Sequence, residues 1–376
     1  MKKTILQILL LILSLPMWGQ ITLTTNYFPA VGDTLRVATA VNPNIDQLSP
    51  GGNVTWDFTN LVGPVFESIL LDPSEGDAFS SYSNATVMTG QAGVAETYFR
   101  ATSTTYENLG FSGADPVGIG LDVIFKNDPP LAERRAPLNY PDLHTSTSSV
   151  RVPFAWADLP AIVTDSLGDL PITPDSIGIE VITDRVENVD AWGTVQLPMG
   201  DYEVLRLRRR TITDTQLKAF VPIFGWQNVT DLIPNQLLGK DTSLSYIYYS
   251  NDIKEEIAVI NVNPTDDEII NVRFKSDNST TSLIKLYTGK TSIHAYPNPA
   301  IESVRFDVVN MPAGDYNLKM YNILGTQVWD ETYSLVNQQD TIQVDLYNFK
   351  KGTYLYSLID ESGRPIVTRR LMIIRP

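Results

Sequence analysis

Two histidines, His144 and His294, are the whole supply of imidazole in this chain of 376 residues, and cysteine is absent. The missing thiol excludes disulfide scaffolds, thiol nucleophiles, zinc ribbons and iron–sulfur centres. Two histidines in those positions cannot write a His-Glu-x-x-His zinc site, so no metal or other cofactor is expected. Any Ser-His-Asp device must use His144. Its neighbours, Pro141-Asp142-Leu143-His144-Thr145-Ser146, offer an acid and hydroxyls, but no Gly-x-Ser-x-Gly elbow occurs anywhere. A surface loop histidine is the favoured reading, and no catalytic residue is assigned.

Carboxylates are plentiful, 43 against 28 basic residues. A glycosidase needs two of them facing each other at about 5 to 9.5 Å. Asp165 with Asp169, or the run Asp266-Asp267-Glu268, are candidates. Both lie in turn-like text, where Asp serves the backbone. The calcium-loop pattern with its sixth-position glycine is missing, as is a phosphate-cradling glycine loop. Arg206, Arg208 and Arg210 alternate on an expected strand and project from one face, with Leu205 and Leu207 on the other. Such a ladder suits an anionic sugar; the competing reading is cross-strand pairing with Glu180 or Asp184. Trp56, Trp156, Trp192 and Trp226 suit either sugar stacking or a β core, and the core reading is favoured.

The elements that must position these residues are strands. Hydrophobic residues make up 43% and charged residues 19% of the chain, enough to bury cores. Lys2 and Lys3 precede an apolar run, Ile5–Leu15, of 11 residues, then Pro16-Met17-Trp18-Gly19. That is the layout of a secretory leader over 1–19, too short for the roughly 20 residues of a membrane span. It implies export by the Sec machinery. From residue 20 to 275, Thr, Val, Ile and Tyr are punctuated by turn residues at short intervals, which predicts an all-β body of one or two β-sandwiches. Expected strands include Ile177–Val186, Gly193–Leu197 and Tyr202–Thr213, followed by a meander of Leu244–Tyr249, Glu256–Val262 and Glu268–Phe274. The stretch 128–140, with three prolines, lacks any period and reads as a long connection and the first candidate for an internal boundary, the alternative being a single continuous body. A small polar run, Ser276–Ser282, opens a linker over 276–293.

The net charge of −15 argues against a nucleic-acid partner. It is unevenly placed. Residues 294–376 hold eight basic and nine acidic side chains, whereas 20–293 hold 18 basic and 34 acidic.

Beyond the linker the text changes. Ala295-Tyr296-Pro297-Asn298-Pro299-Ala300 leads into Val304–Val309, Gly314-Asp315-Tyr316, Leu324-Gly325, Gly352-Thr353-Tyr354, Gly363 and a terminal Arg370-Leu371-Met372-Ile373-Ile374. The alternation of Tyr316, Leu318 and Met320 predicts a compact, Ig-like β-sandwich of seven short strands. This ordered set of motifs resembles the type A C-terminal sorting domain of the Bacteroidota type IX secretion system. The resemblance implies that Tyr296, Pro297, Asn298, Pro299, Gly314, Tyr316, Gly325, Gly352, Tyr354, Gly363 and Arg370 form a sorting signal over 294–376. It also implies an outer-membrane translocon, a surface sortase-like peptidase and, for some cargo, attachment to anionic lipopolysaccharide. Asp33-Thr34-Leu35, Asp165-Ser166-Leu167, Asp175-Ser176-Ile177 and Asp340-Thr341-Ile342 resemble Bacteroidota O-glycosylation acceptors, at Thr34, Ser166, Ser176 and Thr341.

These readings converge on an exported surface or secreted protein whose body is a non-catalytic adhesion or ligand-binding module. The alternative is a secreted carboxylate-dependent glycosidase.

Overall fold

In the computed structural model, residues 20–277 and 292–373 are described, apart from 42, 44, 46–48, 64, 93–94, 115–121, 160–163, 165–171, 233–237, 297–299, 301–302, 310, 323–325, 336–338, 347–348, 350–351, 361–362 and 364. The leader and most of the linker lie outside these residues. What is described is nearly all strand, as the composition requires.

The body contributes β1 (Thr34–Val41), β2 (Gly51–Asp57), β3 (Val65–Ile69), β4 (Val87–Gln91), β5 (Ala95–Ala101), β6 (Thr105–Ala114) and β7 (Asp122–Arg135). It continues with β8 (Leu143–Ala155), β9 (Ser176–Leu197), β10 (Gly200–Val221), β11 (Gly225–Asn228), β12 (Gly239–Tyr249), β13 (Ala258–Val262) and β14 (Ile269–Lys275). They form one sheet in the order β3-β1-β14-β13-β12-β10-β9-β8-β7-β6-β5-β4, with β11 on β10 and β2 parallel to β9. Just past β3, Leu71 exchanges two backbone hydrogen bonds with Met88 of β4, at 2.9 and 3.0 Å. This isolated bridge joins the two ends of the sheet and leaves little free edge there.

Both faces of the central strands are covered. On the inner face Leu205 and Leu207 meet Val189, Ile247, Tyr249 and Val259. On the outer face Ala191, Val195, Val204, Tyr246 and Tyr248 lie beneath Trp56 and Phe58, carried by β2 and the loop after it. Gly193 permits that second layer: a Cβ there would lie 1.9 Å from the carbonyl oxygen of Val54.

Two sequence expectations change in detail. Ile177–Val186 and Gly193–Leu197 merge into the 22-residue β9, because the charged text between them finds partners across the sheet. The supposed connection at 128–140 is strand as far as Arg135. Only Asp128 and Ser149 pair in register between β7 and β8, so Pro129 and Pro130 stand where few N–H donors are demanded. The meander β12-β13-β14 forms as expected.

The C-terminal strands are β15 (Ser292–Tyr296), β16 (Ser303–Val309), β17 (Gly314–Asn322), β18 (Gln327–Leu335), β19 (Gln339–Asp345), β20 (Gly352–Ile359) and β21 (Pro365–Ile373). A three-stranded sheet, β15-β16-β19, faces a four-stranded sheet, β18-β17-β20-β21. Phe306, Tyr316, Leu318, Met320, Tyr356 and Leu371 fill the space between them. The expected seven-stranded sandwich is thus formed.

Candidate functional site

β10 lies between β9 and β12, and its alternation places Arg206, Arg208 and Arg210 on the outer face. The three then part company. Arg206 is wholly buried: its Nε donates to Asp190 Oδ1 at 2.8 Å and its Nη2 to Oδ2 at 3.1 Å. The guanidinium also lies 4.9 Å from the Tyr246 ring and 5.6 Å from that of Trp56. Burial alone would weaken its hold on the proton, but the bonds to Asp190 outweigh burial and raise its pKa. Arg208 is half-buried between Asn188 and Tyr246, and Arg210 is exposed between Val186 and Leu244. Neither has an acidic or hydrogen-bonding partner among the described residues.

That isolation is unusual in this body. Its other nine arginines, including Arg206, each have a carboxylate within 4 Å. The acids expected to neutralise the ladder are engaged elsewhere. Glu180 is bonded to Arg151 and lies 3.3 Å from Lys218, while Asp184 accepts from Thr147 at 2.6 Å.

The inner face carries a charged cluster that the sequence did not advertise. Arg209 Nε donates to Glu187 Oε1 at 2.7 Å, and its Nη1 to Glu133 Oε2 at 2.9 Å. Arg185 lies 3.2 Å from Glu133, Arg135 lies 3.5 Å from Glu187, and Arg134 lies 3.5 Å from Glu256. Burial would raise the Glu256 carboxyl, but Arg134 and Arg273 hold it low. Burial, followed by the charge of Arg209, lowers Arg185. Burial also pushes the Tyr249 hydroxyl up to about 12 against the pull of Arg209 and Arg134.

His144 stands opposite Glu187 in the β8–β9 register, beside a narrow cleft also lined by Tyr27, Glu133 and Arg135. The cavity in the cleft is about 10 Å³, room for no more than one water molecule and far below the roughly 300–1,000 Å³ typical of small-molecule sites. His144 Nε2 is buried without a hydrogen-bond partner among the described residues. Asp142 does not serve it: the Asp142 carboxylate accepts from the Asn139 N–H at 2.7 Å, fixing a turn. No hydrogen bond joins Ser146 to His144 among the described residues, and Ser146 Oγ is itself unpartnered.

The remaining candidates scatter. Asp165 and Asp169 lie outside the described residues, and Asp266 caps a turn by accepting from the Glu268 N–H at 3.2 Å. No group of three His, Asp or Glu residues suited to a metal occurs among the described residues. Trp56 is core, whereas Trp156, Trp192 and Trp226 are half-buried. Thr34 opens β1 and Ser176 opens β9, both half-buried; Ser166 lies outside the described residues, and Thr341 is placed on β19 by its backbone alone.

In the C-terminal unit, Tyr316 and Tyr354 are buried in the core, and the Tyr316 hydroxyl donates to the Pro312 carbonyl at 2.9 Å. Gly314 opens β17, Gly352 opens β20, Gly363 lies in the turn before β21, and Arg370 lies on β21 opposite Leu355. The backbone of Tyr296 ends β15; Pro297, Asn298, Pro299 and Gly325 lie outside the described residues. Residues 294–374 match the family model of the secretion system C-terminal sorting domain. This unit is a type IX sorting domain. A type IX sorting domain marks an exported protein that ends at the cell surface or in the medium. No curated protein matches the chain. Among solved structures, the crystal structure of dimeric latent PorU from Porphyromonas gingivalis is similar at 11% identity, with a TM-score of 0.23 over 92% of this chain. The match spans 30% of that longer chain.

Proposed function

We propose that residues 1–19 direct the chain through the Sec machinery and that the sorting domain presents it to the type IX outer-membrane translocon. The linker 276–293 joins that domain to the body, 20–275. A surface sortase-like peptidase then removes the domain, and the body is released or joined to anionic lipopolysaccharide. Thr34, Ser166, Ser176 and Thr341 are acceptors for sugars added during export.

The body, on this reading, is a non-catalytic module that binds an anionic ligand, an acidic polysaccharide, on the outer face of β10. The observation that carries it is the pair Arg208 and Arg210, unpaired in a body whose other arginines are all neutralised. Two residues along a strand span about 6.6 Å, so both guanidinium groups can meet successive anionic groups of one chain molecule. The surrounding negative charge does not forbid this, because exposed charges are screened over about 8 Å at physiological ionic strength. Catalysis by two carboxylates draws no support from Glu133 and Glu187, since Arg209 binds both.

Binding of the purified mature protein to acidic and neutral polysaccharides, measured calorimetrically at several salt concentrations, tests the reading. Acidic polysaccharides should bind, the affinity should fall with salt, and Arg208→Ala with Arg210→Ala should abolish it. Equal binding of neutral polymers, or binding indifferent to the double variant, would sink it. Turnover of a polymer, lost on a single Asp or Glu substitution, would install the hydrolase instead.

A further inference from the structure

Residues 20–30 form an isolated bridge and one 3-10 turn, Thr25–Tyr27, rather than a strand, yet their largest apolar side chains are enclosed. Leu23 and Tyr27 are fully buried and Phe28 nearly so, all three within the inner cluster. The segment is held as a bound peptide is held. Leu23 exchanges two backbone hydrogen bonds with Leu138, each 3.0 Å. The Tyr27 hydroxyl donates to the Arg135 carbonyl at 2.7 Å and accepts from the Arg135 N–H at 3.0 Å. The Tyr27 carbonyl accepts from Arg134, whose guanidinium lies 5.3 Å from the Tyr27 ring and 5.1 Å from the Tyr249 ring. Lys254 Nζ donates to the Phe28 carbonyl at 2.7 Å, and the Thr24 N–H to Asn251 Oδ1 at 2.7 Å. Every one of these partners lies at least 100 residues further along the chain.

The segment leaves the body through a tight turn. Ala30 N–H donates to Asp33 Oδ2 at 2.7 Å, Val31 is 49% exposed, and Gly32 adopts φ +86°. The hinge is therefore at the surface, as are Thr22, Thr24, Thr25 and Asn26, while Leu23, Tyr27, Phe28 and Pro29 are inside.

We propose that the groove bounded by Arg134–Leu138, Tyr249, Asn251 and Lys254 is a peptide-binding site whose ligand, residues 20–30, is supplied in cis. Its ligand class is a peptide with the pattern Leu-x-x-x-Tyr-Phe whose middle makes one 3-10 turn. Main-chain bonds from Leu138 and Arg135 supply affinity, and the pockets for Leu23, Tyr27 and Phe28 supply selectivity. Seating this peptide covers the apolar inner face and the Arg134–Tyr249 contact, so it is the step that closes the body. The inference is independent of the anion-binding reading, since the groove lies on the opposite face of β10 from Arg208 and Arg210.

The test uses the whole mature chain, beginning at Gln20, with a specific protease site inserted between Val31 and Gly32. After cutting, residues 20–31 should co-elute with the body in gel filtration and exchange, over time, with a fluorescent synthetic peptide of the same sequence. A peptide carrying Tyr27→Ala and Phe28→Ala should compete at least about tenfold more weakly. A dimer in which one chain's segment seats in another chain supports the proposal equally. Departure of the cut segment without uptake of fresh peptide, whether the body stays folded or unravels, overturns it. Equal competition by the doubly substituted peptide overturns it too.

Discussion

Asp190 stands out of register between β9 and β10, and its carboxylate takes two hydrogen bonds from Arg206, the residue beside the bulge it makes. Arg206 pairs with Ala191 and Leu207 with Val189, so Asp190 is the extra residue. The bulge shifts all later pairing by one position. It sets Arg209 opposite Glu187, on the inner face, and Arg210 opposite Val186. Unbroken pairing from the Pro198-Met199 turn would have set Arg210 against Glu187 and neutralised it. One inserted residue therefore buries one arginine, pairs a second inside and leaves two unpaired outside.

Asp190→Ala should destabilise the body by about 3–5 kcal/mol, because Arg206 would remain buried with its charge uncompensated. Replacing both partners by apolar residues, as Asp190→Leu with Arg206→Met, should recover most of that loss. Urea unfolding midpoints decide between the two outcomes. A double variant no better than the single one would show that the bulge itself, and not the charge, is what matters.

Neighbouring arginines should behave oppositely. Arg208→Ala or Arg210→Ala should move stability by no more than about 0.5 kcal/mol, as expected of surface positions without partners. Arg209→Ala leaves Glu133 only Arg185 and Glu187 only Arg135, and should cost more, about 1–3 kcal/mol, through lost charged hydrogen bonds. Thermal melts of the three variants would contradict this assignment of faces if their losses were alike.

What could be read in advance was periodicity: the all-β class, the meander after β12, the ladder's common face and the terminal sandwich all follow from alternation and turn residues. Long-range pairing was hidden. Arg134 and Arg135, followed closely by Pro137, looked like a connection, and their roles depend on Glu256 and Glu187, more than 50 residues away. The Asp190 bulge was hidden for another reason: nothing in Val189-Asp190-Ala191 distinguishes an extra residue from an ordinary alternating one, yet it reassigns every cross-strand partner of the arginines. The burial of Leu23, Tyr27 and Phe28 was likewise invisible, because Ile21 to Phe28 carries only four apolar side chains in no fixed period.

Stability should fall at both ends of the pH scale for separate reasons. Glu256 is held below its ordinary value near 4.5, so the stability it contributes is complete above that value and is lost as pH falls through its lower folded one. Tyr249 is raised from 10 to about 12, so its contribution is complete below pH 10 and is lost as pH rises towards 12. Glu256→Gln should flatten the acid limb alone and Tyr249→Phe the alkaline limb alone. Urea midpoints measured across pH would refute the assignment if either variant flattened the other limb.

The sorting domain should fold, and fail, apart from the body. Among the described residues no strand of its two sheets pairs with the 14-stranded body sheet, and its core of Phe306, Leu318, Met320 and Leu371 draws on residues within 292–373, with Leu355 of β20 packed against a body cluster. Leu318 is completely buried there, so Leu318→Ala should cost that domain about 2–5 kcal/mol through lost transfer energy and the cavity left behind. About 80 residues without disulfides have little stability to spare, and the variant should be largely unfolded at growth temperature. The body should keep its own unfolding transition unchanged. Cells carrying Leu318→Ala, like cells lacking residues 294–376, should accumulate a folded body between the two membranes and show little at the surface. Fractionation combined with protease protection reads both quantities at once. Normal surface arrival of the truncated chain would contradict the assignment of the sorting signal to this domain, and a body destabilised by Leu318→Ala would contradict its independence.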